Sequence, residues 1–246
     1  MCGRYALTSN LDALQARFKF EARFDLEARY EAHDLGYQPR YNIAPTQKSL
    51  VVTNDGSRRG EEMRWGLVPF WAKDIKIGYR MINAVGETLS TKPAFRAAYK
   101  KRRCLVLANG FFEWRKDGKA RIPFYLHLGG QPPFAFAGLW ETWRSGDGET
   151  VKSFTIVTTK PNKLIEPIHN RMPVILSQET EALWLDPLTE DTEILDKLLR
   201  PAPAGDMAGY QVSQMVNSPR DSGPECIQRV ESVEPAASSG APLFNG

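Results

Sequence analysis

The sequence predicts a mixed α+β fold, a single compact domain around a mostly antiparallel, barrel-like β-sheet with flanking helices. Three observations predict it. Short runs rich in β-branched and aromatic residues outnumber helical patterns. The two kinds rarely alternate, which argues against a parallel βαβ arrangement, and no Pro/Gly/Ser-rich linker divides the 246 residues. A content of 42% hydrophobic residues supplies a core and excludes a wholly disordered chain.

In chain order, a helix is predicted over Asn10 to Phe18, where Leu11, Leu14 and Phe18 recur at helical spacing behind the capping residues Ser9 and Asn10. Leu50 to Thr53 reads as a strand. A second helix is predicted over Thr91 to Lys101, with Pro93 in its first turn. Strands follow at Cys104 to Ala108, Ile122 to Leu128, Phe134 to Leu139 and Phe154 to Thr159. Helices are predicted again over Glu179 to Leu185 and Thr192 to Leu199. The domain is expected to span residues 1–233, and the Ala/Ser/Gly/Pro-rich residues 234–246 read as a disordered tail.

The longer apolar runs are too short to span a bilayer, and the N-terminus has no hydrophobic signal core, so a cytoplasmic or nuclear protein is expected. Cys2, Cys104 and Cys226 form no CxxC pair and His33, His127 and His169 lie far apart, so neither a metal, a cofactor nor a disulfide framework is expected. Charge is unevenly distributed. Residues 1–123 carry 23 Lys/Arg against 13 Asp/Glu and residues 124–246 carry 9 against 16, giving +10 and −7. A basic face for phosphates and an ion-paired interface between the halves both fit this arithmetic.

Cys2 follows an initiator Met that aminopeptidases remove before small residues. Removal creates an N-terminal cysteine, with an α-amine (pKa about 7.7–8.0) and a thiol (about 8.5) on adjacent carbons. Such a group captures an aldehyde twice: the amine forms a Schiff base, and the thiol closes a five-membered thiazolidine on the same carbon. A small buried residue opening a strand is the plainer reading of Cys2 alone.

The opening Met1-Cys2-Gly3-Arg4-Tyr5, then Tyr41-Asn42-Ile43-Ala44-Pro45-Thr46 and Arg64-Trp65-Gly66-Leu67-Val68-Pro69-Phe70-Trp71, resemble the SRAP family of abasic-site processing proteins. The resemblance continues through Ile82-Asn83-Ala84 with Glu87-Thr88, Arg102-Arg103-Cys104-Leu105-Val106, Asn109-Gly110-Phe111-Phe112-Glu113-Trp114, Phe154 to Thr159 and Ile168-His169-Asn170-Arg171-Met172-Pro173, ending near Val216-Asn217. It implies covalent capture of abasic sites in single-stranded DNA, as a suicide cross-link that shields the lesion in the damage (SOS) response. It carries over Cys2, Asn83, Glu113 and His169 as the active-site set. Val85 departs from the pattern, since family members commonly have Arg after Asn-Ala.

Chemistry suits each residue to a role. His169 is suited to supply the proton that opens the sugar hemiacetal. Glu113, among Phe111, Phe112 and Trp114, is expected to have a raised pKa and to shuttle protons with the α-amine. Asn83 does not titrate and would orient the amine or a sugar hydroxyl. Singly, these residues also read as a helix cap, a strand-surface carboxylate and a turn residue. For DNA contact the candidates are Arg4, Pro45, Trp71, Arg80 and Arg171, with Arg102, Arg103 and Phe70 beside them, while Trp65 is expected in the core. Arg171 is left between Glu113 and a phosphate as its partner.

Abasic single-stranded DNA is thus the expected partner, with no membrane, and the protein is expected to be a monomer, nucleoid-associated when on DNA. Two other readings stand beside this one: a thiol peptidase using Cys2 and His169, autoproteolytic at the N-terminus, and a non-covalent single-strand binding module.

Overall fold

The structure, a computed structural model, describes residues 2–22, 37–56 and 58–230. The expected tail at 234–246, and His33, lie outside the described residues.

Five strands close on themselves. β4 (Lys48–Thr53), β5 (Arg59–Trp65), β7 (Arg103–Ala108), β10 (Phe134–Arg144) and β11 (Thr150–Thr159) pair in the order β4-β5-β11-β10-β7 and back to β4. All these pairings are antiparallel except β5 with β11, where Ser153 lies beside Arg64 and Phe154 beside Trp65. That parallel contact closes the barrel. Trp65, Phe136, Phe154, Val51 and Val106 are buried in the same core cluster.

A second sheet lies against the barrel in the order β14 (Met207–Gln211), β9 (Ala120–Leu128), β8 (Gly110–Asp117), β1 (Tyr5–Leu7) and β3 (Arg40–Ile43). Its strands alternate between two cores with period two. Tyr5, Leu7, Phe111 and Leu126 belong to the main core, whereas Ala6, Phe112 and Tyr125 face a smaller one covered by Val212, Val216 and Cys226. Tyr5 reaches the barrel core, its ring 5.1 Å from Trp65 and 5.9 Å from Phe136. With both faces covered, β1 reads as the unbroken apolar run Tyr-Ala-Leu rather than as an alternating one.

The mixed α+β fold predicted from the sequence is observed, and its predicted strands fall inside β4, β7, β9, β10 and β11. Of the helices, α1 (Leu11–Phe18) starts where expected, with Asn10 Oδ1 accepting the Ala13 N–H at 2.9 Å. α2 covers only Arg96–Lys101 instead of starting at Thr91. Pro93 disfavours helical geometry at Lys92, and the chain crosses 91–95 in turns. α3 (Gln178–Leu185) matches its expectation. α4 stops at Asp196 rather than Leu199, because Leu198 and Leu199 donate to the carbonyls three residues back and tighten the last turn. Among the described residues no helix is long and apolar enough to cross a membrane.

Candidate active site

Cys2 lies just ahead of β1 and is fully buried. Its thiol faces the Arg4 carbonyl at 3.8 Å. Asn83 opens a three-residue strand, β6 (Asn83–Val85), that runs parallel to β11 with Asn83 beside Ile156. From there its Nδ2 donates to the Cys2 carbonyl at 2.7 Å. The Asn83 Oδ1 is buried and accepts no hydrogen bond among the described residues.

Glu113 reaches the same place along β8. Phe111 pairs with Tyr5 across the antiparallel β8–β1 ladder, so Glu113, two residues on and on the same face, comes level with residue 3. The side chain is 2% exposed. Burial pushes its carboxyl up to about 7, against the opposing pull of the positive amino terminus and of the Trp114 backbone. Burial also pushes the Cys2 thiol far above its ordinary range, and the Glu113 charge adds to that rise.

His169 ends a tight turn built on Asn162, whose Oδ1 accepts the N–H groups of Leu164 and Ile165. Its Nδ1 lies 3.0 Å from the Arg171 backbone nitrogen and 3.2 Å from the Arg171 carbonyl oxygen, so the ring is held against that backbone in either tautomer. Burial, then the positive amino terminus and Lys116, lower its pKa, while the Arg171 backbone raises it. The positive charge of the amino terminus acts on Cys2, Glu113 and His169 alike. Asn83 is thus held against residue 2 and Glu113 comes level with residue 3, while His169 shares the amino-terminal charge with Cys2 and Glu113. Glu113 is not on the strand surface, and its pKa is raised by burial as such; of the three expected aromatic neighbours, Phe112 and Trp114 belong to the core on the opposite face of β8. Burial disfavours the imidazolium form of His169 on which the expected proton donation draws.

The candidate DNA contacts separate. Arg4 donates to Asn42 Oδ1 at 2.8 Å, the Val216 carbonyl at 2.7 Å and the Asn217 carbonyl at 3.4 Å. Its guanidinium is used within the fold. Arg171 pairs with neither Glu113 nor an open surface; it forms a two-armed ion pair with Glu87 at 2.8 and 2.7 Å and also donates to the Thr158 carbonyl. Arg102 is paired with Glu141 at 2.7 Å. Arg103 is fully buried, donating to the carbonyls of Trp184, Tyr99 and Asp186.

Trp71 and Arg80 are exposed, and so are Phe70 and Tyr79 beside them. The loop that bears them is tied down by Trp143 Nε1, which donates to the Ala72 carbonyl at 2.7 Å. Pro45 is half-buried in a turn closed by the Gln47 N–H on the Ala44 carbonyl, with Thr46 at a φ of 75°. Trp65 is in the core, as expected, and Val85 is exposed at the rim.

Sequence reasoning gave no role to Asn42 or Glu87. Both sit inside the recurring sequence blocks, and that was the available signal; their partners, Arg4 and Arg171, are 38 and 84 residues away.

Residues 1–219 match the family model described as SOS response associated peptidase (SRAP). Abasic site processing protein YoqW of Bacillus subtilis (strain 168) is 47% identical over 230 residues, 93% of this chain and 99% of that one. Abasic site processing protein HMCES of Xenopus tropicalis is 32% identical over 94% of this chain and 78% of its own. A crystal structure of a Bacteroides thetaiotaomicron protein superposes with a TM-score of 0.83 at 29% identity, covering 94% of this chain and all of that one.

Proposed function

The chain belongs to the SRAP family, and from that premise we propose that it captures abasic sites in single-stranded DNA as a thiazolidine on Cys2. The observation that carries the reading is the hydrogen bond from Asn83 to the Cys2 carbonyl beside a buried Glu113 whose carboxyl titrates near neutrality. Family names alone do not specify a chemistry; these two features suit amine chemistry at residue 2.

The reaction needs the α-amine of Cys2 free, hence Met1 removed. The ionised Glu113 takes a proton from the ammonium and frees the nitrogen lone pair. Opening of the sugar hemiacetal breaks the bond from C1′ to the ring oxygen; the ring oxygen gains a proton as the C1′ hydroxyl gives one up, and the aldehyde is unmasked. The amine then adds to the aldehyde carbon, and water leaves as protonated Glu113 returns its proton to the departing hydroxyl. The thiol adds to the resulting iminium carbon, its proton passing to Glu113 or to the neutral His169. One aldehyde and one aminothiol give one thiazolidine and one water. Asn83 fixes the carbonyl end of residue 2, and its Oδ1 is available to a sugar hydroxyl or to the amine.

The thiol peptidase reading finds less support, because burial and the Glu113 carboxylate both disfavour the thiolate it requires. For DNA contact we retain Pro45, Trp71 and Arg80. Arg80 would meet a phosphate and Trp71 a base, whereas Arg4 and Arg171 are engaged internally.

The test is a denaturing gel of the protein with single-stranded DNA carrying one abasic site, beside Cys2→Ala, Glu113→Gln and undamaged DNA. A band that survives denaturant and disappears with Cys2→Ala is expected, slowed about 10²- to 10⁴-fold with Glu113→Gln. Protein whose intact mass includes Met1 should bind the strand and leave no such band. A cross-link formed by Met1-retaining protein would sink the mechanism.

A further inference from the structure

We propose that Arg4 and Asn42 are positioning residues for Cys2, and that residues 216–221 complete the device that holds the nucleophile in place. The proposal rests on the aldehyde-capture reading above. Between Cys2 and Arg4 lies only Gly3, which has no side chain to pack and the widest backbone freedom of any residue. A cysteine joined to the fold through glycine would swing unless both sides of that link were fixed.

Both sides are fixed. On one, Asn83 Nδ2 holds the Cys2 carbonyl at 2.7 Å. On the other, the Arg4 carbonyl takes the Phe112 N–H at 2.9 Å and faces the Cys2 thiol at 3.8 Å. The Arg4 guanidinium donates to Asn42 Oδ1, to the Val216 carbonyl and to the Asn217 carbonyl. A planar fork with three acceptors on two segments has one orientation open to it.

The acceptors are themselves held. Asn42 is 1% exposed, and its Nδ2 faces the carbonyls of Val216 at 3.3 Å, Ser218 at 3.0 Å and Asp221 at 2.6 Å. Trp114, adjacent to Glu113, donates from Nε1 to Asn217 Oδ1 at 2.7 Å. The 216–221 segment thus fastens Arg4, Asn42 of β3 and Trp114 of β8 to one another, and fixes the backbone that follows Cys2 relative to the strand that bears Glu113. Capture needs the amine and the thiol set against one carbon within a fraction of an ångström, so the fastening acts on reaction rate. This assigns Arg4 a purpose other than phosphate binding, because both terminal nitrogens of its guanidinium already donate within the fold.

The experiment uses the full chain with Met1 removal verified by intact mass, comparing Asn42→Ala and Arg4→Met with the unaltered protein. Single-turnover cross-linking to abasic single-stranded DNA is measured across pH, together with the Kd for a strand carrying tetrahydrofuran, which lacks the aldehyde. The expected result is a capture rate about 10- to 100-fold lower in both variants, with Kd within about twofold. The pH dependence should also move, as the amine shifts relative to Glu113; a purely structural role would leave it in place.

Unchanged rates in folded variants would overturn the proposal, as would a rate loss matched by an equal weakening of Kd, the signature of a phosphate contact. A loss that disappears when rates are scaled to the folded fraction, read from thermal melts, would also overturn it. Should Asn42→Ala fail to fold, Arg4→Met makes the same comparison, since Arg4 is only half-buried. If the unaltered protein leaves no cross-linked band, the capture reading itself fails; if it cross-links and the variants match it, only the positioning role fails.

Discussion

Glu113 is a carboxyl that burial protects from ionising. Its pKa lies above the unfolded value of about 4.5, so the folded state holds the proton more tightly, and the stability gained below pH 4.5 is lost as pH rises through about 7. Glu113→Gln removes that dependence. The variant should melt at a temperature less sensitive to pH between 5 and 8, and should exceed the unaltered protein at pH 8 by several degrees, for a cost on the order of 3 kcal/mol. Scanning calorimetry at four pH values checks this, and equal slopes would refute it. The capture rate should rise with pH through the same region and flatten in the variant. At this scale Cys2, Asn83, Glu113 and His169 stand out in the sequence because each sits in a distinctive block, whereas the raised pKa of Glu113 comes from burial on the face it shares with Phe111, opposite its sequence neighbours Phe112 and Trp114. The arginines were not legible. Guanidinium charge says nothing of direction, and Arg103, read as a phosphate contact, turns inward to carbonyls at the C-terminal ends of α2 and α3. Arg103→Met should therefore cost about 3–5 kcal/mol in urea denaturation, since several buried acceptors lose their donor together.

Among the elements, the loop from Leu67 to Arg80 is held by a contact between two glycines. Gly66, at a φ of +116°, would place a Cβ 2.6 Å from the Gly78 carbonyl oxygen, and a Cβ on Gly78 would meet the Gly66 oxygen at 2.6 Å. No side chain fits between them without the backbones separating. Gly78→Ala should push Trp71, Tyr79 and Arg80 out of register. Affinity for single-stranded DNA, read by fluorescence anisotropy, should drop about 10-fold, comparable to one lost base stack, while Cys2 keeps its reactivity toward a small aldehyde. Strand legibility followed burial. β4, β7, β10 and β11 lie in the core and display apolar runs, whereas β5 is Arg-Gly-Glu-Glu-Met-Arg-Trp, with Gly60, Met63 and Trp65 buried. Its charged residues hide a strand that pairs on both sides, and β6, at three residues, is too short for periodicity to register.

Over the whole molecule, the uneven charge of the two halves resolves partly into pairing. Arg17 meets Glu181 at 2.8 Å, Arg102 meets Glu141 at 2.7 Å and Lys101 meets Glu190 at 3.6 Å, each a first-half cation on a second-half acid. The cations left for phosphates include exposed Arg80. Binding to undamaged single strands should weaken with salt, and Arg80→Ala should make the log–log slope shallower by about 0.7, the amount for one phosphate contact; an unchanged slope would remove Arg80 from the interface. The mixed fold was legible from its strands, but barrel closure was not, because it depends on residues 64–65 pairing with 153–154 across a long sequence separation. The same long range governs Cys2. The first strand synthesised takes its neighbours from β3, from β8 and, through Arg4, from residues 216–217. While the chain emerges from the ribosome, residue 2 stays outside any folded structure until nearly all the rest has been made. In the chain that still carries Met1, residue 2 is buried once folding ends. An aminopeptidase that must grip an extended chain end is expected to act before the fold closes over residue 2, and intact mass after aminopeptidase treatment of folded, Met1-bearing protein would check this, ready trimming refuting it. The fraction of reactive molecules is then set by a race between enzyme and folding, once per chain, at birth.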